Sequence, residues 1–255
     1  MIDIHAHILP WMDDGAGSME EALAMAEMAA VSGISCMAAT PHWQLSQKDR
    51  FPDRMQKRQW ILEQLNETVY AAGISLQIVP GMEIYGCGDI AGWIRDGAIP
   101  SLNHSGYYLI EFPFDMAPEE IYHGWKQIIK SGGRPVIAHP ERYFCIQDEP
   151  ELLYHWIQEG VYTQINRGSL LGRFGDAAEK TSHLLTSCGL ATCVASDAHH
   201  SYVRTPYFSD IRYLLKKWYS EETAQRLLSV NPCRMLLGES VLSEPVHYPG
   251  KRKKT

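Results

Sequence analysis

The sequence predicts an α/β fold built on a parallel β-sheet, and the spacing of its apolar runs carries that prediction. Seven short runs rich in β-branched and aromatic residues recur along the chain, and amphipathic stretches separate them. The runs start 32, 42, 31, 28, 27 and 30 residues apart, close to the roughly 30 residues of a strand–helix–strand unit. This rhythm fits a barrel-like sheet, and it fits an open doubly wound sheet equally well.

Each element has its own support in the sequence. The seven candidate strands are residues 2–5, 34–40, 76–84, 107–112, 135–139, 162–166 and 192–196. Apolar residues at helical spacing predict outer helices at 53–72, 118–130, 150–159, 176–186 and 208–219. Ser18 and Glu21 predict a capping box, in which each side chain binds the other residue's amide, ahead of a helix over 22–31. Residues 221–228 and 234–237 predict two short helices that cover one end of the barrel.

Length and motifs limit the domain organisation. A chain of 255 residues with 45% hydrophobic side chains can bury one sizeable core, so we expect a single domain over residues 1–240. Residues 241–255 are expected to form a basic, flexible tail that contains the basic run 251–254. The sequence has no GxGxxG or GxxxxGK[ST] motif, which argues against the nucleotide-binding versions of a doubly wound sheet.

Charge and composition argue against several kinds of partner. A formal net charge of −7 and a pI near 5.9 argue against a nucleic-acid partner, whose phosphates would need a basic face on the protein. No apolar run approaches the roughly 20 residues that cross a bilayer, so a membrane protein is not expected. The six cysteines form no CxxC pair and no leader-like segment precedes the first strand, so we expect reduced thiols and a cytoplasmic location.

Polar residues gather where the predicted strands end. In a parallel barrel the carboxyl ends of all strands meet at one mouth, so such residues converge on one site. Only the strand ending at Asn166 lacks a strong ligand. The candidate ligands are His5, His7, Asp14, His42, Glu83, Glu111, His139, Asp197 and His199.

This set of acids and imidazoles indicates a metal site. Clustered carboxylates repel one another and are costly to desolvate unless cations lie among them. Mixed histidine and carboxylate ligands suit manganese, iron or zinc better than calcium or magnesium. Any one histidine beside a strand could instead be an ordinary core residue, so the prediction depends on the joint arrangement.

The motifs that carry these residues resemble a known superfamily. They are DIHAHILP at 3–10, DDGA at 13–16, ATPH at 39–42, GME at 81–83, IEFP at 110–113, AHPER at 138–142 and SDAH at 196–199. The pattern resembles the polymerase and histidinol phosphatase (PHP) superfamily. Within it, the chain is most similar to the bacterial manganese-dependent tyrosine-protein phosphatases of capsular and extracellular polysaccharide synthesis.

The resemblance implies a fold and a metal content. It implies a distorted (β/α)7 TIM-like barrel of the PHP type and three metal ions, manganese first, with iron or zinc as the alternatives. The implied ligand sets are His5, His7, Glu83 and Asp197 for the first ion, Glu83, Glu111 and His139 for the second, and Asp14, His42 and His199 for the third. Glu83 would bridge two ions.

The expected chemistry is hydrolysis of a phosphate ester by a metal-activated hydroxide. A cysteine-dependent tyrosine phosphatase needs C-x5-R, and no arginine stands six residues after any cysteine here. Asp197 and His199 are expected to act in catalysis. Arg142 and Arg204 lie in the right loops and are expected to be catalytic through binding the phosphate. A pair of solvated surface salt bridges is the alternative role for these arginines.

Further side chains beside the predicted ligands have two interpretations each. Some of the neighbouring aromatic residues are expected to line the mouth, and the others to pack in the barrel. Asp3 is expected either to orient a ligand histidine or to lie exposed at the barrel floor. The aromatic residues concerned are Trp11, Trp43, Tyr85, Phe112 and Tyr143.

The leading hypothesis is a phosphatase that acts on phosphotyrosine in a protein partner. By resemblance, that partner is a membrane-associated bacterial tyrosine kinase that regulates polysaccharide export. The alternatives are a histidinol-phosphate or other small-molecule phosphatase or phosphodiesterase of the same superfamily, and a scaffolding protein that keeps metals for folding only. The sequence leaves the oligomeric state open.

Overall fold

Short parallel strands alternate with helices in the computed structural model, which describes residues 1–43, 51–243 and 246–249. All seven predicted strands are present in the described part of the chain; the run 76–84 is split into two strands, and a further two-residue strand follows the run 34–40. Pro41, which has no amide hydrogen, separates β2 from β3, and residues 81–82 separate β4 from β5. The strands are β1 Ile2–Ala6, β2 Cys36–Ala39, β3 His42–Trp43, β4 Gln77–Pro80, β5 Glu83–Tyr85, β6 Tyr107–Glu111, β7 Arg134–Ala138, β8 Tyr162–Asn166 and β9 Cys193–Ala195.

The strands form two parallel sheets, in the orders β1-β2-β4 and β3-β5-β6-β7-β8-β9. The predicted α/β class is therefore confirmed, whereas a continuous closed sheet is not found among the described residues. The first strand nevertheless meets the segment after the last one, because Ala6 pairs with Ala198 in a parallel bridge. Two backbone hydrogen bonds support this contact, from His7 N to Ala198 O at 2.8 Å and from Asp197 N to His5 O at 2.9 Å.

Helices follow most strands, at the predicted places. Ser18 caps α1 by accepting a hydrogen bond from Glu21 N at 3.2 Å, but the Glu21 carboxylate accepts from Gly17 N at 3.0 Å. The Glu21 carboxylate was predicted to accept from the backbone amide of Ser18, and this prediction is wrong by one residue. The helices are α1 Met19–Val31, α2 Phe51–Ala71, α3 Ile90–Arg95, α4 Pro118–Lys130, α5 Phe144–Asp148, α6 Glu151–Gln158, α7 Arg167–Leu170, α8 Asp176–Ser187, α9 Ser209–Trp218, α10 Glu221–Gln225 and α11 Asn231–Leu236.

Two groups of buried side chains hold the layers together. One group covers one face of the strands and includes Ile4, Val79 and Leu109, with Met235 and Leu236 of α11. The other group lies between the strands and the outer helices. The last helices cover one end of the strands, as predicted, and it is the amino end: Asn231 Nδ2 donates to Thr192 O at 2.9 Å, just before β9.

The described residues after 240 contact the body of the chain. Leu242 N donates to Asn231 Oδ1 at 2.8 Å, and His247 N donates to Cys188 O at 2.9 Å. The predicted domain boundary at 240 stays a prediction, and the basic run 251–254 lies outside the described residues. None of the helices that the structure describes is long and apolar enough to span a bilayer. All six cysteines are unpaired.

Candidate active site

The side chains predicted as metal ligands converge on Glu83, beside the carboxyl ends of the strands. Glu83 Oε1 lies 3.1 Å from His5 Nε2 and 3.2 Å from His139 Nε2. Glu83 Oε2 lies 3.2 Å from His7 Nε2 and 3.0 Å from His42 Nδ1. Four imidazoles therefore surround one buried carboxylate. The connected set, called the ligand cluster below, comprises His5, His7, Asp14, His42, Glu83, Glu111, His139, Asp197 and His199.

Asp197 lies on one side of Glu83. Its Oδ1 is 3.5 Å from the Nε2 atoms of both His5 and His7. Its Oδ2 accepts a hydrogen bond from Asn166 Nδ2 at 2.6 Å. Asn166 ends β8, the strand in which the sequence shows no strong ligand. This strand therefore supports the predicted ligand Asp197 and supplies none itself.

His42 and His199 lie on the other side. Glu111 Oε1 is 2.9 Å from His42 Nδ1, and Asp14 Oδ1 is 3.5 Å from the Nε2 atoms of both His42 and His199. Asp14 is 68% exposed, whereas His199 is buried, so this side faces solvent.

In the part of the chain that the structure describes, donor atoms within 4.8 Å of one another form three groups that could each hold an ion: His5, His7 and Glu83; His42, Glu83 and Glu111; and His7, Asp14, His42 and His199. These groups overlap the implied ligand sets without matching them. His42 accompanies Glu83 in the second group, where the resemblance implies His139. His7 joins the third group. The division of the cluster among ions stays a prediction.

Backbone geometry brings the ligands to one place. The period of two along β1 sets His5 Nε2 and His7 Nε2 3.3 Å apart, and the register between β3 and β5 pairs His42 with Glu83. His139 and Asp197 follow their strands in the left-handed region, with φ of 35° and 51°. Non-glycine residues adopt this region at a cost, and such strain is concentrated at functional sites.

Outer partners fix the orientation of the two β1 imidazoles. His7 Nδ1 donates to Asp13 Oδ2 at 2.7 Å, and His5 Nδ1 donates to Gln164 Oε1 at 2.8 Å. With the proton on Nδ1, each ring presents its Nε2 lone pair to the other and to Glu83. These lone pairs and carboxylate oxygens repel one another unless cations or protons lie between them, so the donor set fits a metal.

Asp13 and Gln164 were not predicted to act in the site. Asp13 also accepts hydrogen bonds from the backbone amides of Gly15 and His42, at 2.9 Å each, so it holds its own loop in place. Gln164 could have been found, because Tyr162, Gln164 and Asn166 alternate along β8 and share one face. Asp13 stands next to a predicted ligand in the sequence, and nothing there distinguishes their roles.

Asp3 does not bind an imidazole, and both sequence interpretations of it are wrong. It is fully buried, and its carboxylate accepts hydrogen bonds from Ser196 Oγ at 2.5 Å, Ser196 N at 3.1 Å and His5 N at 3.2 Å. Burial raises the pKa of Asp3 to about 6. Asp3 therefore ties β1 to the residue that precedes Asp197.

Protons take the place of cations when no metal is bound. Burial opposes the charged form of His42, but the nearby carboxylates of Glu111 and Glu83 outweigh it and raise the pKa of His42 to about 10. Burial also disfavours ionised Glu83, but the surrounding imidazoles hold the pKa of Glu83 well below its ordinary value. Burial and the neighbouring His7 lower the pKa of His199 to about 3. Glu83 Oε2 and His42 Nδ1 are buried without a hydrogen-bond partner, which again fits a metal.

Arg142 and Arg204 both reach the ligand cluster at Asp197. Arg204 Nη2 lies 2.5 Å from Asp197 Oδ2, and Arg142 Nη1 lies 3.8 Å from the same oxygen. The carboxylate that they share is only 2% exposed, so these are not solvated surface salt bridges. Burial lowers the pKa of Arg142 below its ordinary value. Their predicted contact with phosphate stays a prediction.

The five aromatic residues beside the ligands divide into two kinds. Trp43, Phe112 and Tyr143 are at most 3% exposed and pack in the core. Tyr143 also accepts a hydrogen bond from Phe112 N at 3.1 Å through its hydroxyl group. Trp11 is 52% exposed and Tyr85 is partly exposed, so these two do not pack fully in the core, and their place at the mouth stays a prediction.

Comparison with known proteins identifies the family. The sequence model of one protein family, described as capsular polysaccharide synthesis, CpsB/CapC, matches residues 1–237. The chain belongs to the CpsB/CapC family. Its relatives include the tyrosine-protein phosphatase YwqE of Bacillus subtilis, which is 37% identical over 100% of this chain and 98% of the relative. The putative tyrosine-protein phosphatase CapC of Staphylococcus aureus is 34% identical over 87% of this chain and 86% of the relative.

Solved structures of the CpsB/CapC family share this fold. A chain from the crystal structures of YwqE of Bacillus subtilis and CpsB of Streptococcus pneumoniae, described as unique metal-dependent tyrosine phosphatases, superposes with a TM-score of 0.89. It is 36% identical and covers 99% of this chain and 100% of that chain. The predicted resemblance to tyrosine phosphatases of polysaccharide synthesis is confirmed. The α/β architecture with parallel sheets is that of the CpsB/CapC family.

Proposed function

We propose that this chain is a metal-dependent protein-tyrosine phosphatase of capsular or extracellular polysaccharide synthesis. The observation that carries the proposal is the convergence of His5 Nε2 and His7 Nε2, as lone-pair donors, on the carboxylates of Glu83 and Asp197. Membership of the CpsB/CapC family and the names of its relatives support tyrosine phosphate as the substrate.

The ligand cluster would hold three ions, manganese by preference, with iron or zinc as alternatives. His5, His7, Glu83 and Asp197 would bind the first. Glu83 and Glu111 would bind the second with His42 or His139, and Asp14, His42 and His199 would bind the third. When bound, such ions lower the pKa of a water molecule toward neutrality and neutralise charge on a phosphate. The two sheets, joined where Ala6 meets Ala198, would act as the distorted seven-stranded barrel that the resemblance implies.

The protein's own residues bind and orient the phosphate. Arg142 and Arg204 lie beside Asp197 and carry planar donor groups that can bind two phosphate oxygens at once. Asp197 and His199 follow the last strand, with Asp197 Oδ1 3.6 Å from His199 Nδ1, and Asp197 contacts the arginines through its other oxygen. Asp13 and Gln164 keep the His7 and His5 rings in the orientation that binds metal.

The proposed substrate is a phosphotyrosine segment of a membrane-associated bacterial tyrosine kinase, reached from the cytoplasm. Trp11 and Tyr85 remain exposed near the predicted ligands and would contact the aryl group or its flanking residues. A scaffold that keeps metals for folding only is disfavoured, because Asp14 opens the cluster to solvent and a structural metal site is normally closed.

The test is a substrate panel with and without metal. The purified protein is assayed on a phosphotyrosine peptide, an aryl phosphate, histidinol phosphate and a dinucleotide, after chelation and after manganese is added back. We expect phosphotyrosine to give the highest kcat/KM, only with metal present. Preference for histidinol phosphate would assign the chain to small-molecule hydrolysis, and full activity after thorough chelation would contradict the metal mechanism.

A further inference from the structure

Phe174 lies against both arginines of the candidate site. The Cζ atom of Arg142 is 4.5 Å from the centroid of the Phe174 ring, and that of Arg204 is 5.8 Å from it. Arg142 also lies 4.3 Å above the ring of Phe114. Phe174 is the ring that the two guanidinium groups share among the described residues.

The local backbone is built to seat this ring. Phe174 lies between α7 and α8, in the segment after β8. A Cβ atom at Gly168 would lie 2.4 Å from Phe174 Cε2 and 2.9 Å from Cζ, well inside contact distance. The missing side chain at Gly168 therefore creates the space that the Phe174 ring fills. The strand without a metal ligand thus leads into the segment that supports both arginines.

An aromatic ring suits this position for an electrostatic reason. Arg142 and Arg204 converge on the same oxygen of Asp197, so their positive charges repel each other. The face of a phenyl ring is negative and attracts guanidinium groups, but it accepts no hydrogen bond along their N–H directions. Among the described residues, the Arg142 guanidinium donates no hydrogen bond, and Arg204 Nε is buried without a partner. The two side chains are 20% and 29% exposed, so donors of the guanidinium groups remain accessible to the oxygens of a phosphate group.

We propose that Phe174 is a positioning residue that holds Arg142 and Arg204 in the arrangement that binds the phosphate group of the substrate and of the product. This inference rests on the proposed phosphatase function. It adds a residue that touches neither metal nor substrate. Phe174 acts on the affinity for phosphate, through the two arginines, and it leaves the ligand cluster unchanged.

The first experiment measures phosphate binding by Phe174 variants. Phe174→Leu keeps an apolar side chain but removes the aromatic face, and Phe174→Tyr keeps the face. Orthophosphate is used as a competitive inhibitor of phosphotyrosine-peptide hydrolysis by the manganese-loaded enzyme. We expect Phe174→Leu to raise both the phosphate Ki and the peptide KM about 3-fold to 30-fold, the range that a lost cation–π contact predicts. Phe174→Tyr should stay near the wild type.

Phe144→Leu is the matched control. Phe144 stands two residues after Arg142 and is 56% exposed, and its ring is not stacked on either arginine in the described residues. Bound manganese and thermal midpoint are measured for every variant. The control and Phe174→Leu should bind as much manganese as the wild type, and only Phe174→Leu should lose phosphate affinity.

A second experiment uses Gly168. Gly168→Ala should raise the phosphate Ki as Phe174→Leu does, because the added methyl group displaces the ring. In a Phe174→Ala background the same change should have no further effect, since no ring remains to displace. Equal effects of Gly168→Ala in both backgrounds would overturn the proposed role of the ring.

The outcomes separate this inference from the proposed function. A wild-type protein without metal-dependent phosphotyrosine hydrolysis would remove the function itself. An active wild type whose phosphate Ki is unchanged by Phe174→Leu would remove only the positioning role. A Phe174→Leu protein that loses manganese and thermal stability together, without rescue by Phe174→Tyr, would make the ring a packing residue and overturn the inference.

Discussion

At the scale of single residues, the Nδ1 atoms of His5 and His7 decide what the site can bind, although they point away from Glu83. The Nδ1 protons of His7 and His5 are held by Asp13 and Gln164. Once the Nε2 atoms lose their protons, the neutral rings are therefore held in the tautomer that binds metal. Outer partners of this kind raise ligand basicity and reduce the motion of the ring. The metal affinity of the site should depend on residues that never touch the metal.

Asp13→Asn tests this dependence. The change keeps the size of the side chain and removes the charge that accepts from His7 Nδ1, so we expect the apparent Kd for manganese to rise about 10-fold to 100-fold. Activity should recover at saturating manganese. Asp96→Asn is the control, since Asp96 is 72% exposed and pairs only with Arg95 in the described structure. An unchanged manganese titration for Asp13→Asn would refute the orienting role.

Arg142→Lys tests the phosphate contact. Lysine keeps the charge but loses the planar fork and the stacking on Phe114 and Phe174. We expect KM for aryl phosphates to rise about 10-fold, the effect of one lost charge-assisted hydrogen bond. Steady-state kinetics with Arg95→Lys, an exposed arginine, provide the comparison. If KM for Arg142→Lys equals that of the wild type, Arg142 does not bind phosphate.

The sequence predicts the ligand residues better than their supports. Histidines and acids stand out at strand ends because burying them unpaired is costly. Gln164 and Asn166 are amides and carry no charge, so only their alternation along β8 could have indicated that they share the face toward the site. Asp13 and Asp14 are adjacent in the sequence. Only the folded loop shows that Asp13 binds His7 and that Asp14 lies on the solvent side, beside His199.

At the scale of elements, the loop between β1 and α1 depends on a glycine. A Cβ atom at Gly15 would lie 2.1 Å from the carbonyl oxygen of His7, so no other residue fits there without moving the backbone. The same loop carries Asp13 and Asp14 to the ligand cluster. Close packing of loop against strand thus positions two carboxylates at once.

Gly15→Ala should displace this loop. We expect turnover to fall more than 10-fold, as a misplaced catalytic group commonly causes, together with a lower thermal midpoint. Gly17→Ala is a matched control in the same loop, because its Cβ would meet only Glu21 Oε2 at an ordinary 3.5 Å. Turnover and thermal melting are measured for both variants. Equal turnover in the two would show that the loop tolerates the displacement.

Periodicity predicted the order of the elements and missed their interruptions. Apolar runs locate strands because alternate residues must be buried, but a two-residue strand such as β3 is too short to show a period. The break after β4 at residues 81–82 lay inside a predicted strand for the same reason. The ends of the five predicted outer helices lie within two residues of the observed ends, whereas α1 and α11 each begin three residues before the predicted start.

At the scale of the whole molecule, the strands divide into two sheets that the sequence did not predict. The pairing of strands depends on hydrogen bonds between distant segments, and no local pattern specifies them. The class of fold could be predicted because strand and helix alternate at a regular interval. The convergence of the ligands could be predicted for a related reason, since parallel strands bring their carboxyl ends together.

The metal-free molecule should lose stability as the pH rises. The pKa of His42 is raised from its ordinary 6.5 to about 10, so its charged form favours the folded chain. This contribution is complete below about pH 6.5 and is lost as the pH rises toward 10. In chelator, the thermal midpoint should therefore fall between pH 6.5 and 9.5, and less steeply in His42→Gln. Excess manganese should suppress this fall, because binding favours deprotonated ligands. Identical slopes for His42→Gln and wild type would contradict the assignment.

The bridge between Ala6 and Ala198 has a consequence for biosynthesis. A ribosome releases His5 and His7 early, but Asp197 and His199 emerge only after nearly two hundred residues have been translated. An ion captured by the nascent amino terminus therefore lacks its later ligands. Correct loading must wait until translation is almost complete, and ribosome-bound chains stalled before residue 190 should retain manganese poorly compared with released protein.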